Sequence, residues 1–263
     1  MSRNGQTPSR SIDPGDYQDV PRPVAAMPKD FPAGHVIPPH SHKRAQFVFA
    51  ASGVMTVSAA RGQWAVPPNQ ALWIPAGCVH SIRMSGRVEM RTLYIRPDVA
   101  AGLPAEPRSV GVSPLLRELV LAAMKLPVLY AESGREARIM ALILDEVAVL
   151  PRLPLHLPMP EETRLRRLCE RIADAPGETV SVAEAAGAAA ASPRNFARRF
   201  RVATGMSFGA WCRQARLLDA LVRLAAGQPV TAVALELGYE SPSAFASMFR
   251  RHVGVTPRQF GSL

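Results

Sequence analysis

Cysteine is scarce in this chain. Three occur among 263 residues, Cys78, Cys169 and Cys212, and none has CxxC spacing. An odd, widely separated set excludes a disulfide framework or a zinc finger. Each reads as a small side chain suited to burial and not as a reactive thiol. Long apolar runs are also missing. No stretch of about 18 apolar residues could span a membrane, and Met1 to Asp19 lacks the apolar segment of a secretory signal. A cytoplasmic protein with no membrane partner is the expectation. Acidic residues are in deficit, 21 against 31 basic ones, for a net charge of +10. Such an excess favours a polyanionic partner, nucleic acid or a membrane surface. An Arg-biased composition would give the same number, so charge alone does not choose.

The composition that remains is globular. Hydrophobic residues make up 48% and charged residues 20%, which supports a core and argues against disorder. The length suggests two domains at roughly 100–200 residues each. Residues 1–20 are rich in Ser, Pro, Gly and Asp and read as a mobile tail. From Val24 to Arg96, short apolar runs are cut by Pro and Gly. Residues 46–51, 53–58, 63–66, 71–74 and 88–95 read as strands, a spacing that suggests an all-β barrel or sandwich. Two helices follow. One opens at Ser113-Pro114 and runs to Leu126, with Leu116, Leu119, Val120 and Ala123 on one face. The second spans Gly134 to Leu150 and groups Ile139, Leu142, Ile143, Glu146 and Val149. Residues 151–160 hold four prolines, which cannot continue a helix and favour a stiff, extended linker. The domain boundary is placed there, between residues 21–150 and 161–263. Beyond it the pattern is helical, beginning with Leu165, Leu168, Cys169 and Ile172.

The most informative feature is a repeat. Ser192-Pro-Arg-Asn-Phe-Ala-Arg-Arg-Phe-Arg201 returns 49 residues later as Ser241-Pro-Ser-Ala-Phe-Ala-Ser-Met-Phe-Arg250, followed in both copies by Gly, at 205 and 254. Self-similarity at a fixed offset marks one structural unit used twice. Ser caps each helix and Pro occupies its first turn. The Phe residues, four apart, face the core. Arg194, Asn195, Arg198 and Arg199 face outward in the first unit. Ser243, Ala244, Ser247, Arg250 and Arg251 do so in the second. A short apolar helix precedes each unit, the first with a Ser181/Glu184 capping box and the second ending in Gly238. The pattern is helix, turn, recognition helix, twice. A helix over Ser207 to Ala226 lies between them. It is about 30 Å long, close to the roughly 34 Å between successive major-groove faces. Arg can bind guanine and Asn adenine bidentately, so the first unit is better equipped for base readout. The second is expected to work more through phosphates. A plain helical bundle would explain the Phe pairs but not the duplicated caps, the outward basic residues and the spacer together.

Residues 161–262 resemble the DNA-binding domain of AraC-family transcription regulators. The resemblance rests on Val233-Ala-Leu-Glu-Leu-Gly-Tyr-Glu-Ser-Pro-Ser-Ala-Phe-Ala-Ser-Met-Phe-Arg-Arg251, with Gly254-Val-Thr-Pro257 and Phe260. It implies double-stranded DNA as partner, with RNA polymerase as a further one. Gly187-Ala-Ala-Ala-Ala191 departs from the family pattern, being Ala-rich where larger apolar residues and a turn glycine are usual. The first unit is therefore expected to pack more loosely.

In the N-terminal half, Gly34-x5-His40-x-His42-x3-Gln46-x6-Gly53 is similar to the first cupin motif, with Gln in place of the usual Glu. Pro75-Ala-Gly77-Cys-Val-His80 is similar to the second. The resemblance covers residues 31–96 and implies a small β-barrel. The whole chain is thus expected to be an α+β multidomain protein, with a cupin-like β-barrel and flanking helices before an all-α domain with two helix-turn-helix motifs. In metal-binding cupins the residues matching His40, His42, Gln46 and His80 converge, and three imidazoles with an amide oxygen suit a divalent metal such as Zn, Ni, Mn or Fe. The same residues could instead line a metal-free effector pocket. The arrangement implies a small-molecule effector in the barrel acting on a homodimer, with residues 113–150 as the candidate interface, although their apolar faces could equally pack only on their own barrel. The competing reading is a cupin metalloenzyme with a DNA-binding appendage. No second catalytic constellation supports it, and the Gln weakens it, so the expected protein is not an enzyme.

Overall fold

A computed structural model describes residues 11–68, 70–100, 102–151 and 153–261. Residues 1–10 of the expected tail lie outside this set. Residues 11–20 are tied to the sheet. The Tyr17 ring is buried 5.9 Å from that of Tyr94. The buried Arg44 guanidinium donates to the carbonyls of Gln18, Val20 and Arg22.

The N-terminal half is one antiparallel sheet built on two long strands, β3 (Ala45–Ala59) and β6 (His80–Ile95). Their pairing shifts register around Ser52, where Gly53 has φ +73°, and Gly86 on β6 has φ +70°. Bulges of this kind bend a strand and increase its twist. Each long strand therefore serves two half-sheets. In the first, β1 (Val24–Phe31) pairs β6, while β5 (Gln70–Ile74) joins β3 to β7 (Arg108–Gly111). In the second, β2 (Val36–His40) pairs β6, and β4 (Gly62–Val66) joins β3 to β8 (His156–Pro158). The sheet curls in the cupin manner without closing. Among the described residues the edge strands have no ladder between them. The expected barrel is thus an open one.

Period-two alternation sorts the sheet's side chains. Met27, Val48, Met55, Trp64, Met84 and Met90 fill the interior. Phe47, Phe49, Trp73 and Leu93 face outward beneath α1 (Pro114–Ala123) and α2 (Gly134–Ala148). Ser113 caps α1 as expected and also donates to Glu146. On α2 the buried face is Ile139, Met140, Ile143 and Val147, whereas Leu142 and Val149 are exposed. The face is rotated from the expected one because α1 and the sheet together cover it, and Met140 and Val147 meet them better.

Val54, Ala65, Leu155 and Leu157, on the outer side of the second half-sheet, join the core of the helical domain. That domain comprises α3 (Thr163–Asp174), α4 (Val182–Ala188), α5 (Pro193–Thr204), α6 (Phe208–Ala225), α7 (Val230–Glu236), α8 (Pro242–Val253) and α9 (Pro257–Phe260). Within the Pro-rich segment between the halves, His156–Pro158 form β8, paired to β4. The Trp211 indole N–H on α6 donates to the Pro158 carbonyl at 2.7 Å, and the Gln214 amide donates to that of Pro154. Arg166 on α3 donates to the Ala60 carbonyl at 2.8 Å. The helical domain is thereby seated on the sheet, with α6 against β3, β4 and β6.

Candidate functional site

Two constellations stand out. The first is the pair of helix-turn-helix units. Ser192 Oγ accepts from the Asn195 N–H and Ser241 Oγ from the Ala244 N–H, so both recognition helices start where the Ser-Pro pairs predict. The Ser181/Glu184 capping box fixes α4. Gly205 and Gly254 end α5 and α8 in left-handed conformation, the geometry glycine adopts without steric cost. Phe196 and Phe200 pack against Phe208 at ring separations of 5.3 and 5.4 Å. Phe245 and Phe249 repeat the arrangement with Tyr239 and Phe260. Helix α6 bridges the units with 18 residues, about 27 Å of rise.

With the aromatic face fixed inward, the other face of each helix meets solvent. Arg194, Asn195 and Arg198 are exposed on α5, and Arg198 donates to Asn195 Oδ1 at 3.1 Å. Arg199 is different. Its guanidinium is half-buried and paired with Glu162 at the start of α3. On α8, Ser243, Ala244, Ser247, Arg250 and Arg251 are all exposed. The turn of the first unit carries a feature that the Ala-rich sequence only hinted at. Ala190 has φ +48°, among the described residues the one non-glycine residue in the left-handed region. It makes the same turn hydrogen bond as Gly238, but only two residues before its cap serine, where Gly238 lies three before.

The second constellation sits where β2, the β2–β3 connection and the start of β6 meet. Pairing of His40 with His80 across the ladder brings His40, His42 and His80 together, with candidate ligand nitrogens all within 4.8 Å of one another. His40 Nδ1 lies 2.8 Å from the Pro38 carbonyl, and His80 Nδ1 lies 2.9 Å from that of Cys78. A carbonyl accepts only from a protonated nitrogen, so each ring keeps Nε2 for another partner. Among the described residues, buried His42 Nε2, His80 Nε2 and Gln46 Oε1 have no hydrogen-bond partner. Leaving such atoms unsatisfied costs roughly 1–3 kcal/mol each. Burial, reinforced by the neighbouring imidazoles, lowers His42 and His80 to about 4, so both are neutral near pH 7. Neutral imidazoles with free Nε2 atoms and an unpartnered amide oxygen fit a divalent cation. Tyr94, absent from the sequence-based set, completes this wall: its ring lies 5.0 Å from His42 and its strand position is opposite Gln46.

A curled sheet with a histidine cluster, joined to two helix-turn-helix units, defines a ligand-binding domain coupled to a DNA-binding one. Comparison with known proteins agrees. An AraC-like ligand binding domain family matches residues 31–145, and a helix-turn-helix domain family matches residues 185–262. The HTH-type transcriptional regulator NimR of Escherichia coli K12 is 34% identical over 223 residues, covering 85% of this chain and 81% of its own. The regulatory protein SoxS of Salmonella typhimurium is 39% identical over 64 residues, 24% of this chain and 60% of its own. The solved structure of ToxT from Vibrio cholerae aligns over 92% of this chain and 97% of its own, at 9% identity and a TM-score of 0.39. The chain belongs to the AraC family of transcription regulators. Among the described residues, no helix is long and apolar enough to cross a membrane.

Proposed function

We propose that this regulator reads duplex DNA chiefly through Arg194, Asn195 and Arg198, and that a small-molecule effector in the N-terminal domain controls how the reading heads are presented. The supporting observation is the exposed Arg194–Asn195–Arg198 face on a helix whose start, end and buried side are all fixed. Ser243, Ala244, Ser247, Arg250 and Arg251 bring α8 to the next groove face, mainly through phosphates. Arg199, held by Glu162, acts as a brace. The sensor is residues 21–150 and the DNA-binding unit 161–263, joined by 151–160. The protein works in the cytoplasm as a homodimer through α1 and α2, where Leu115, Leu142 and the capping Val149 just past α2 are exposed, and RNA polymerase is its further partner.

His40, His42, His80 and Gln46 would hold a divalent metal within the sensor. Such an ion supplies a Lewis-acidic attachment point for an oxygen-bearing effector. The residues' own contribution is clear without it. The Pro38 and Cys78 carbonyls orient two rings, burial keeps His42 and His80 neutral, and Gln46 adds no charge.

Binding-site selection on random duplexes, followed by footprinting, tests the DNA reading. A defined protected sequence that survives competitor DNA is expected. Equal binding to all duplexes would overturn it. The three-histidine cluster also favours a second reading, a metalloenzyme with a DNA-binding appendage. Stoichiometric iron with O2-dependent turnover would establish that one.

A further inference from the structure

The recognition helices leave one charged surface unused. Arg164, Arg167 and Arg171 follow one another on α3 at i, i+3 and i+7, the spacing that places residues on one face of a helix. All three are exposed, and among the described residues no salt bridge or side-chain hydrogen bond engages them, in contrast to Arg166 and Arg199. Their surface is shallow and open to solvent. With Leu168 and with Ala188 at the end of α4, they line a concavity of about 370 Å³. On the α4 side the lining residue is Ala188, which carries a single methyl group. A Cβ built on Gly187 meets nothing within 4 Å. Of the Ala-rich segment only Ala188 lines the trough, and its small side chain leaves that side open, while Ala185, Ala186 and Ala189 pack into the helical core. Two nearby acidic groups are committed elsewhere, whereas Glu161, Glu170 and Asp174, each three residues from one of the arginines, leave the cluster with a reduced net positive charge. Glu184 lies close enough to Arg171 to feel its charge, but its carboxylate accepts from the Ser181 N–H and hydroxyl. Glu162 is paired with Arg199.

We infer that Arg164, Arg167 and Arg171 form a cradle for the phosphate backbone of the duplex beside the groove entered by α5. Three flexible guanidiniums in an open trough suit a polyanion whose charges repeat along a line, and Arg is well matched to phosphate oxygens. The trough offers no built-in reader of base edges, so its contribution is affinity and register without sequence preference. This inference rests on the DNA reading above and adds to it a third contact surface, one that belongs to neither recognition helix.

The test uses the full-length protein with Arg164, Arg167 and Arg171 all changed to Gln, which removes the charge but keeps a polar side chain of similar helix propensity. Fluorescence anisotropy is measured on the duplex found by selection and on a scrambled duplex, from 50 to about 300 mM KCl. Each phosphate contact adds about 0.9 to the slope of log K against log salt. The variant is expected to bind both duplexes more weakly by a similar factor, about 10-fold or more at low salt. Its slope should be shallower by about 2.7. Ala188→Glu, which places a carboxylate in the trough, should weaken binding in the same sequence-independent way. An unchanged slope in the triple variant overturns the cradle, and so does a loss confined to the selected duplex. Unchanged binding with impaired transcription in a purified polymerase system would instead assign the surface to a protein contact and overturn it as well. Failure of the unmodified protein to bind any duplex would overturn the underlying DNA reading, so the two failures are told apart.

Discussion

The imidazole of His156 lies flat on the indole of Trp64, ring centres 4.5 Å apart and planes within 9°. His156 belongs to β8 in the segment joining the two halves, and Trp64 to β4, so the stack fastens that segment to the sheet. Its Nε2 is buried without a partner, and burial lowers the pKa. A histidine whose folded pKa is depressed contributes stability that is complete above its unfolded value, near 6.5, and is lost as pH falls through the folded one. The seat of the helical domain is therefore expected to weaken below about pH 6, as the charged ring is expelled toward Glu106. Trp64 is fully buried and should report the release by fluorescence. His156→Gln should remove the acid-sensitive step reported by Trp64, leaving the separate acid-dependent loss that the neutral buried His42 and His80 impose. An identical pH profile in that variant would exclude His156 as its source.

Base readout is expected to divide unevenly between the two recognition helices. Arg194→Ala and Arg198→Ala should each lower affinity for the selected duplex by about 10- to 100-fold, corresponding to the roughly 1–3 kcal/mol of a bidentate base contact. Affinity for scrambled DNA should change far less. Ser243→Ala and Ser247→Ala should cost no more than a few-fold. Arg199→Ala should affect stability more than specificity, because its partner is Glu162. Footprints and competition titrations distinguish these outcomes, and equal losses from α5 and α8 would contradict the proposed asymmetry.

The helix-turn-helix half was almost fully legible in sequence because its signals are local. Ser-Pro caps, glycine stops and Phe pairs at i, i+4 act within one helix and dictate its ends and its buried face. Arg199 escaped because its partner, Glu162, lies 37 residues away and only tertiary packing brings them together. The sheet was less legible for the same reason. Strands β2, β7 and β8 are short, the longer β1 is interrupted by Pro28, and all carry Pro or polar residues and exist because strands elsewhere in the chain pair with them. The Pro-rich segment reads as a spacer by composition, yet proline is tolerated at sheet edges, and β8 uses that freedom. The histidine cluster was found by motif spacing. The unpartnered Nε2 and Oε1 atoms that give it chemical meaning follow from burial, which spacing does not reveal.

The metal reading has a sharp chemical test in Gln46. Purified protein stripped with chelator and titrated with Zn²⁺ or Ni²⁺ should bind about one ion with a rise in Tm, as ligands selective for the folded state require. His40→Ala combined with His80→Ala should abolish the rise. Gln46→Glu should strengthen binding, since a carboxylate adds the negative charge that an amide lacks. It should lower the stability of the metal-free protein, where that charge would be buried unpaired. Absence of any metal-dependent shift in the parent protein would leave the cluster as the lining of an effector pocket.

Ala190 makes an opposite kind of prediction, a gain. A left-handed residue with a Cβ is strained by about 1–2 kcal/mol. Glycine relieves that strain and gives back part of it through a freer unfolded chain, roughly 0.4–1 kcal/mol. Ala190→Gly should thus raise stability by up to about 1 kcal/mol, seen as a higher Tm. Because the turn sits just before Ser192, the substitution also tests whether the strain is used to aim α5. If stability rises and specific affinity is unchanged, the strain is incidental.

Gly86 sets how closely the two halves approach. It lies at the bend of β6 with φ +70°, and a Cβ built there would come within 2.5 Å of the Ala225 carbonyl at the end of α6. A carbonyl of the helix end cannot move without moving α6, the helix that holds both reading heads. Gly86→Leu is therefore expected to lift α6 from the sheet. The buried Trp211 and Gln214 contacts to the Pro158 and Pro154 carbonyls should break with it. Limited proteolysis should then cut within residues 151–160, and scattering should show a larger radius of gyration. The isolated helical core would stay folded, since its aromatic clusters do not involve Gly86. If seating restrains the reading heads, Gly86→Leu should bind the selected duplex without dependence on effector or metal. An unseated variant with unchanged DNA response would mean that the sensor acts by another route, the α1–α2 face being the next to examine.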